Sequence, residues 1–263
     1  MSSDVPPILQ NKHYHEASTF TPESLLREAR RQKVAAIEPV PDICVLDPDG
    51  DIVRQLKQDG RAKHHGGWVC YHTDLFCFQD GGVTFGIVGC AVGSSFAVLV
   101  AEELFASGCK LLISVTSSGQ ITPLQVPPYF ILIDRAMRDE GTSYHYMPPA
   151  PYSEAPEQLL GALEGAFDNL PVSVLRGATW TTDAPFRETA SAIDTMRRGG
   201  LLAVEMEAAA LYAFAKSRNK NVVCFAHVTN QMGQIEGDFE KGHANGATEA
   251  LAVVVLTAQR LAG

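Results

Sequence analysis

The run KLLISV, residues 110–115, continues almost without a polar break, and this constrains the fold more than any other feature of the chain. A strand with one face in water alternates polar and apolar residues, whereas a near-continuous apolar run belongs to a sheet covered by helices on both faces. Residues 43–46 (ICVL), 68–78 (WVCYHTDLFCF), 83–90 (VTFGIVGC), 110–116 (KLLISVT), 129–134 (YFILID), 172–180 (VSVLRGATW) and 221–229 (NVVCFAHVT) all read as strands. Between them, residues 94–108, 156–170, 190–200, 204–218 and 247–263 carry helical patterns. These features predict a single α/β domain, 41–263, built on a mixed central sheet flanked by helices. Residues 1–40 form an N-terminal extension carrying one helix, with Thr21 as N-cap and Pro22 at its first position, and this extension is expected to pack on the domain. The proline-rich stretch 148–156 reads as a surface connection.

Among 263 residues, 46% are hydrophobic and 19% charged, which is ordinary for a chain with a real core. The formal charge of -9, with no cluster of Lys and Arg, argues against nucleic acid or an anionic membrane as partner and favours small-molecule chemistry. Cys44, Cys70, Cys77, Cys90, Cys109 and Cys224 stand singly, with no metal-ligand spacing, and read as reduced thiols of a cytoplasmic protein. No signal peptide and no run of eighteen uncharged apolar residues is visible. No metal site is expected.

Several short stretches carry candidate chemistry. LLAVEMEAAALYAFA, residues 201–215, reads as an oily helix holding Glu205 and Glu207. A carboxylate taken into a core costs several kcal/mol unless it is paired or hydrogen-bonded. The alternative is a solvated helix start, where the dipole favours negative charge. DPDGDIVRQLKQ, residues 47–58, begins like a calcium loop, but Ile52 and Gln58 replace the turn glycine and the bidentate glutamate, so it reads as a turn leading into a helix near Asp51. GCAVGSS, residues 89–95, brings backbone N–H groups and the hydroxyls of Ser94 and Ser95 to a helix start, where an anion is welcome. ISVTSSGQITP, residues 113–123, offers Thr116, Ser117 and Ser118 before Gly119 at the carboxyl end of a strand, where open α/β sheets bind ligands. TWTTDAPFRET, residues 179–189, sets Asp183, Phe186 and Arg187 together: an aromatic face and a hydrogen-bonding group suit a flat heterocycle, with core packing and a surface ion pair as the plain alternatives. Asn230 ends the strand after the glutamate helix. His227 lies in an apolar strand and reads as a core histidine.

Taken together, VEMEAAALY, with VGCAVGSS, SVTSSG and TTDAPF in support, resembles the nucleoside phosphorylase family that includes bacterial purine nucleoside phosphorylases and uridine phosphorylases. The likeness runs, with gaps, from about Cys44 to the C-terminus. It implies one α/β domain that cleaves the glycosidic bond of a ribonucleoside, with inorganic phosphate as co-substrate and no cofactor. By this resemblance Glu207 accepts hydrogen bonds from the ribose 2′ and 3′ hydroxyls and Met206 lines the underside of the sugar, while Glu205 beside them is either a further substrate contact or a structural carboxylate, paired or capping. Gly93, Ser94 and Thr116, with Ser117, Ser118 and Gly119 following, shape the phosphate and substrate pocket, and Phe186 and Arg187 lie near the base. Asn230, where purine enzymes carry an aspartate, resembles the uridine enzymes and implies a pyrimidine.

The pattern also departs from the family. Its first phosphate turn, PGDPxR, is here VLDPDG, so Leu46 replaces the glycine and Gly50 the arginine, leaving Arg54 to reach back. Ser114 stands where an arginine is common. Arg54, Arg61 or Arg135 are the candidate substitutes. Two alternatives follow: a nucleosidase using water, activated by Asp183 or by the Asp47, Asp49 and Asp51 cluster, or a non-catalytic nucleoside-binding protein. Family members assemble as homo-oligomers, dimers or hexamers, whose sites borrow residues. His13, His15, Arg61 and His65 are the candidates here.

Overall fold

A computed structural model describes residues 5–232 and 236–261. Helix α1, Pro22–Lys33, is capped by the Thr21 hydroxyl, which accepts the Ser24 N–H at 3.2 Å. The chain then runs β1 (Ile43–Asp47), α2 (Asp51–Gln58), β2 (Lys63–His64), β3 (Leu75–Asp80), β4 (Val83–Gly89), α3 (Ser94–Ala106), β5 (Leu111–Gln120), β6 (Tyr129–Asp139), β7 (Tyr152–Glu154), α4 (Glu157–Ala162), β8 (Val174–Thr182), α5 (Ala190–Arg198), β9 (Ala203–Glu205), α6 (Ala208–Arg218), β10 (Asn221–Asn230) and α7 (Ala247–Leu261).

Among the described residues the strands form one ten-stranded mixed sheet. Strands β4, β1, β5 and β10 lie side by side and parallel. Strand β10 also pairs antiparallel with β6, β6 runs parallel to β8, β8 to β9, and β9 returns antiparallel to β5. The strands β5, β9, β8, β6 and β10 therefore close into a ring. The central strands are buried almost throughout: β1 at all five positions and β10 at all but Asn221.

Helix α6 packs against β6, β7, β8 and β10 and against α3. Its residues Ala208–Ala215 are all buried, and its small alanines let the backbone approach the neighbouring elements closely. Tyr212 locks it: the hydroxyl donates to the Ile133 carbonyl at 2.6 Å and accepts the Cys224 N–H at 3.0 Å, so no buried polar atom of this side chain is wasted. Helix α1 packs on α3 through Leu26 and Ala29.

Five local expectations are corrected. Residues 204–218 are not one helix: Ala203–Glu205 is a strand and the helix starts at Ala208. SVTSSG is not a turn, because pairing with β10 carries β5 on to Gln120. The strand expected over 68–78 begins only at Leu75, since Trp68 Nε1 donates to the Thr73 carbonyl and folds the preceding segment into a loop. The connection 148–156 contains β7, paired with β6, and the helix expected over 156–170 ends at Ala162.

Candidate active site

The parallel strands β1, β4, β5 and β10 point their carboxyl ends at one rim, and the carboxylates singled out in the sequence meet there. Glu205 and Glu207 sit at the joint between β9 and α6, 3% and 1% exposed, so neither is solvated. Their roles separate by donor count. Glu205 Oε2 accepts the N–H groups of Glu207 and Ala208, both at 2.7 Å, while Oε1 accepts the hydroxyls of Thr179 at 3.1 Å and Thr181 at 2.5 Å. Its side chain caps the first N–H groups of the turn into α6, whose N-cap position is Glu207, and the scaffold engages both its oxygens; of the two readings of Glu205 this is the structural one, and no oxygen is left for the substrate contact.

Glu207 is met by fewer donors. Gly93 N–H donates to Oε1 at 2.7 Å, Met206 N–H to Oε2 at 3.3 Å, and the Thr116 hydroxyl adds a further bond. Burial, then the neighbouring Glu205 carboxylate, raise its carboxyl to about 8 against the pull of Gly93 and Thr116, and Asp49 adds to the push. Burial raises Glu205 as well, and the four donors that face it pull the other way. Glu207 is thus a buried acceptor with lone pairs to spare beside a turn of small residues.

Next to it, in the turn after β1, three aspartates meet two cations and a backbone N–H. Ser117 N–H, at the end of β5, donates to Asp49 Oδ2 at 2.6 Å. Lys241 Nζ lies 2.5 Å from Asp51 Oδ2 and 3.9 Å from Asp49 Oδ1. Arg54 does reach back: Nη2 donates to the Asp49 carbonyl and to Asp51 Oδ1, both at 2.7 Å, and Nη1 would stand 2.7 Å from a Cβ at residue 50. Only a glycine leaves room there, and Gly50 also takes the left-handed φ of 76° that the turn requires. Asp47 closes the turn, accepting Gly50 N–H and Val53 N–H at 3.1 and 2.9 Å, and burial raises it to about 7. Burial pushes Asp51 up, but the hydrogen bonds from Lys241 and Arg54 prevail and hold it below the usual carboxylate range.

The other candidates fall as follows. Ser94 donates its hydroxyl to the Met206 carbonyl at 2.7 Å and is wholly buried, so it braces the α3 turn and has no proton left for an anion. Thr116 and Ser118 are buried, and the Ser118 hydroxyl has no partner among the described residues. Met206 is half-buried at the rim. Gly119 makes room for Met232, whose sulfur would lie 2.4 Å from a Cβ there. Asn230 follows a register shift in β10 and spends its amide locally: Nδ2 donates to the Ser118 carbonyl and the Thr229 hydroxyl, and Oδ1 accepts Met232 N–H at 2.9 Å. Asp183 accepts Gly141 N–H at 2.8 Å and braces that loop. Phe186 is 99% exposed and Arg187 is exposed beside it, so this chain alone provides Phe186 with no ring to close a stack.

His227 is buried and stacked on Phe130 at 4.3 Å, and burial lowers it to about 4. Arg61 is tied to Asp80 at 2.6 Å and His65 is buried, with Nε2 near the Pro39 carbonyl. Sequence reasoning missed Lys241, which lies in DFEKGHANG with no motif around it. Among the described residues no helix is long and apolar enough to cross a membrane.

Known proteins resemble this chain in sequence and in fold. The chain is 27% identical over 170 residues to a guanosine phosphorylase of Halorubrum lacusprofundi, covering 63% of this chain and 66% of that one, just under two thirds of its length. It is 29% identical over 191 residues to a uridine phosphorylase of Thermococcus kodakarensis, covering 66% of this chain and 68% of that one. A uridine phosphorylase crystal structure from Vibrio fischeri, complexed with 6-hydroxy-1-naphthoic acid, superposes with a TM-score of 0.71 at 21% identity over 84% of this chain and 92% of that one, which establishes the likeness of fold. Residues 41–260, nearly the whole chain, match the sequence profile of the phosphorylase superfamily, and the chain belongs to that family.

Proposed function

We propose that the chain is a nucleoside phosphorylase, a pentosyltransferase that cleaves the N-glycosidic bond of a ribonucleoside with phosphate, and that it is uridine phosphorylase-like. The observation that carries this reading is Glu207: a buried carboxylate held by Gly93 N–H and Met206 N–H, with acceptor capacity left, beside the aspartates of the turn after β1 and their two cations. A vicinal diol donates two hydrogen bonds, and an ionised carboxylate, which only accepts, is its complement; Glu207, raised to about 8 in the empty site, gives up its proton when these two donors arrive. The nucleophile then approaches C1′ from the Ser117 side. Its oxygen forms a bond to C1′ as the C1′–N bond breaks, and the base leaves with the electron pair, giving the free base and the pentose 1-phosphate. The sugar turns cationic on the way, so the carboxylates around it favour the transition state over the ground state. Arg54 and Lys241 supply the cations in place of the family's arginines, and both must leave Asp51 in part to do so. Residues 41–263 form the catalytic domain with 1–40 as an extension, no cofactor takes part, and the enzyme works in the cytoplasm as a homo-oligomer, dimer or hexamer, with His13 and His15 as candidate borrowed groups.

One observation favours a second reading. Asp49 already accepts the Ser117 N–H in the place a phosphate oxygen would take. A carboxylate there is a base for water, which attacks C1′, gives its proton to Asp49 and yields free ribose. Base release from uridine, cytidine, inosine, guanosine and adenosine, with and without phosphate, separates the two. Phosphorolysis needs phosphate, and Asp49→Ala lowers the KM for it. Hydrolysis proceeds without phosphate and is lost in Asp49→Ala. Tight nucleoside binding with no release in either condition overturns both.

A further inference from the structure

Asp51 is held by two cations: Lys241 Nζ meets Oδ2 at 2.5 Å and Arg54 Nη2 meets Oδ1 at 2.7 Å, and only 13% of the Asp51 side chain is exposed. The proposed reaction asks Lys241 to turn to phosphate, which strips Oδ2 of its partner where little water reaches it. An ionised carboxylate left unpaired at that depth is strongly disfavoured, so Asp51 needs another cation. Behind the aspartates lies a small cavity of about 20 Å³, walled by Asp47, Asp49, Asp51, Ser117, His227 and Gly246. His227 and Ser117 stand abreast on the parallel strands β10 and β5, so their side chains share one face of the sheet. The imidazole is 5% exposed and stacked on Phe130, and its Nε2 has no hydrogen-bond partner among the described residues. Gly246 leaves room for it, because a Cβ at residue 246 would run into Cε1 and Nδ1 of the ring. A buried ring nitrogen without a partner costs stability and calls for a use. A cavity of this size takes one water, enough to join Nε2 to a carboxylate across it.

We propose that His227 is a positioning residue for phosphate: it takes up a proton as the anion binds and replaces Lys241 as the counter-cation of Asp51, which frees Lys241 for the phosphate. This rests on the nucleoside phosphorylase reading and adds how its anion site is regulated. With Lys241 on Asp51, burial and then the Lys241 ammonium hold the imidazole down to about 4, against the pull of Asp51, so the ring is neutral at pH 7. Once Lys241 turns away, one of the two depressing influences goes with it, while the unpaired Asp51 carboxylate raises the ring. A proton then enters from solvent with the anion. No bond between heavy atoms forms or breaks, and the balance is one proton taken up per anion bound. The groups facing the ring are Asp47 from β1, Asp49 and Asp51 from the turn into α2, with Arg54 beyond Asp51, and Lys241 from the segment before α7. Strands β6 and β5 present Phe130 and Ser117, and α7 presents Ala247 and Ala250, none of which titrates. Asp47 and Glu207, raised to about 7 and about 8, are the other groups able to exchange a proton nearby.

Sulfate, which carries two negative charges and does not titrate between pH 6 and pH 7, is the first probe, and phosphate, with allowance for its own titration, the second. Their binding to the full-length protein, His227→Gln and His227→Phe is measured by titration calorimetry in two buffers of different ionisation enthalpy, which counts the protons taken up per anion. Phosphate-dependent release of base from uridine is followed in parallel. The parent protein is expected to take up close to one proton per sulfate, with an affinity that falls about tenfold per pH unit. His227→Gln keeps an N–H for Asp51 without the charge, and His227→Phe keeps the stack on Phe130 alone. Both should take up no proton, bind sulfate independently of pH, and bind it roughly 10-fold to 100-fold more weakly at pH 6, the scale of a hydrogen bond to a charged group. A merely structural role for His227 would weaken binding and leave the proton count at one. The proposal is overturned if the parent binds the anions without proton uptake, or if His227→Gln takes up the same proton, which assigns it to Asp47, Asp49 or Glu207. Proton uptake that needs His227, with no base released, supports His227 and counts against the proposed activity alone. Phosphate-dependent release without proton uptake keeps the activity and ends the role of His227. A parent that binds neither anion overturns the proposal together with the phosphorylase reading.

Discussion

Two glutamates separated by one residue in sequence differ by what donates to them. Glu205 meets four donors and holds the scaffold, while Glu207 meets fewer and keeps acceptor capacity for a ligand. Glu207→Gln is therefore expected to lower kcat/KM for a ribonucleoside about 100-fold, near 3 kcal/mol, because one of two charged hydrogen bonds to the diol is lost and the other weakened. A 2′-deoxyribonucleoside should lose far less, and equal losses on both sugars would remove the diol from the argument. The same residue sets a pH dependence of stability. Asp47 and Glu207 are raised to about 7 and about 8 from ordinary values of 3.8 and 4.5, so between about pH 4 and pH 8 the native chain holds protons that the unfolded chain has released. Stability contributed by these groups falls as pH rises through that window. The melting temperature is expected to rise from pH 8 to pH 6, and to rise less in Glu207→Gln, which no longer titrates. Calorimetry at the two pH values that finds a fall, or the same rise in the variant, would show that Glu207 is charged in the folded protein throughout.

At the level of elements, the joint of β9 and α6 explains both what the sequence discloses and what it conceals. Amphipathic α1 was readable because Thr21 and Pro22 mark its start and its polar face reaches water. The strands of the central sheet were readable because burial on both faces removes the polar residues. Residues 201–215 misled because both sides of the joint are equally buried, so neither a two-residue nor a 3.6-residue period survives to mark where strand becomes helix. The SVTSSG segment misled for a related reason: hydroxyls usual in turns are here edged into a strand by β10 on one side and β9 on the other. Arg54 and the Gly50 vacancy were legible as a departure from a motif, but that the guanidinium folds back over Gly50 depends on a helical turn of α2. If the Glu205 side chain caps the turn into α6, Glu205→Ala leaves two backbone N–H groups and two threonine hydroxyls unpaired in the core. That should cost about 3–5 kcal/mol, roughly 10 °C in Tm. Glu207→Ala, which strands fewer donors, should cost less. A reversed order in thermal denaturation would reassign the cap.

The molecule as a whole carries a net charge of -9 and concentrates five carboxyl groups, those of Asp47, Asp49, Asp51, Glu205 and Glu207, around one rim. Against them this chain sets Lys241 and Arg54, both already bound to Asp51. A doubly charged phosphate entering such a field needs more positive charge than one protomer offers there. Phe20, Leu124, Val126, Phe186 and Phe239 are at the same time exposed in the single chain, between 52% and 99%, and large apolar side chains of this kind are commonly covered by association. Both facts lead to the same expectation: the active species is an assembly in which a neighbouring copy covers apolar surface and brings a cation toward Arg54. Sedimentation velocity should then give a mass that is a multiple of the 28.4 kDa chain. Activity per chain at limiting phosphate should fall when the protein is diluted below the concentration at which the assembly holds, while addition of phosphate should shift the dissociation to lower protein concentration, since a ligand bound only by the assembly stabilises it. A species of 28.4 kDa that turns over nucleoside at full rate with phosphate would show instead that Arg54 and Lys241 suffice once Asp49 swings away from the Ser117 N–H.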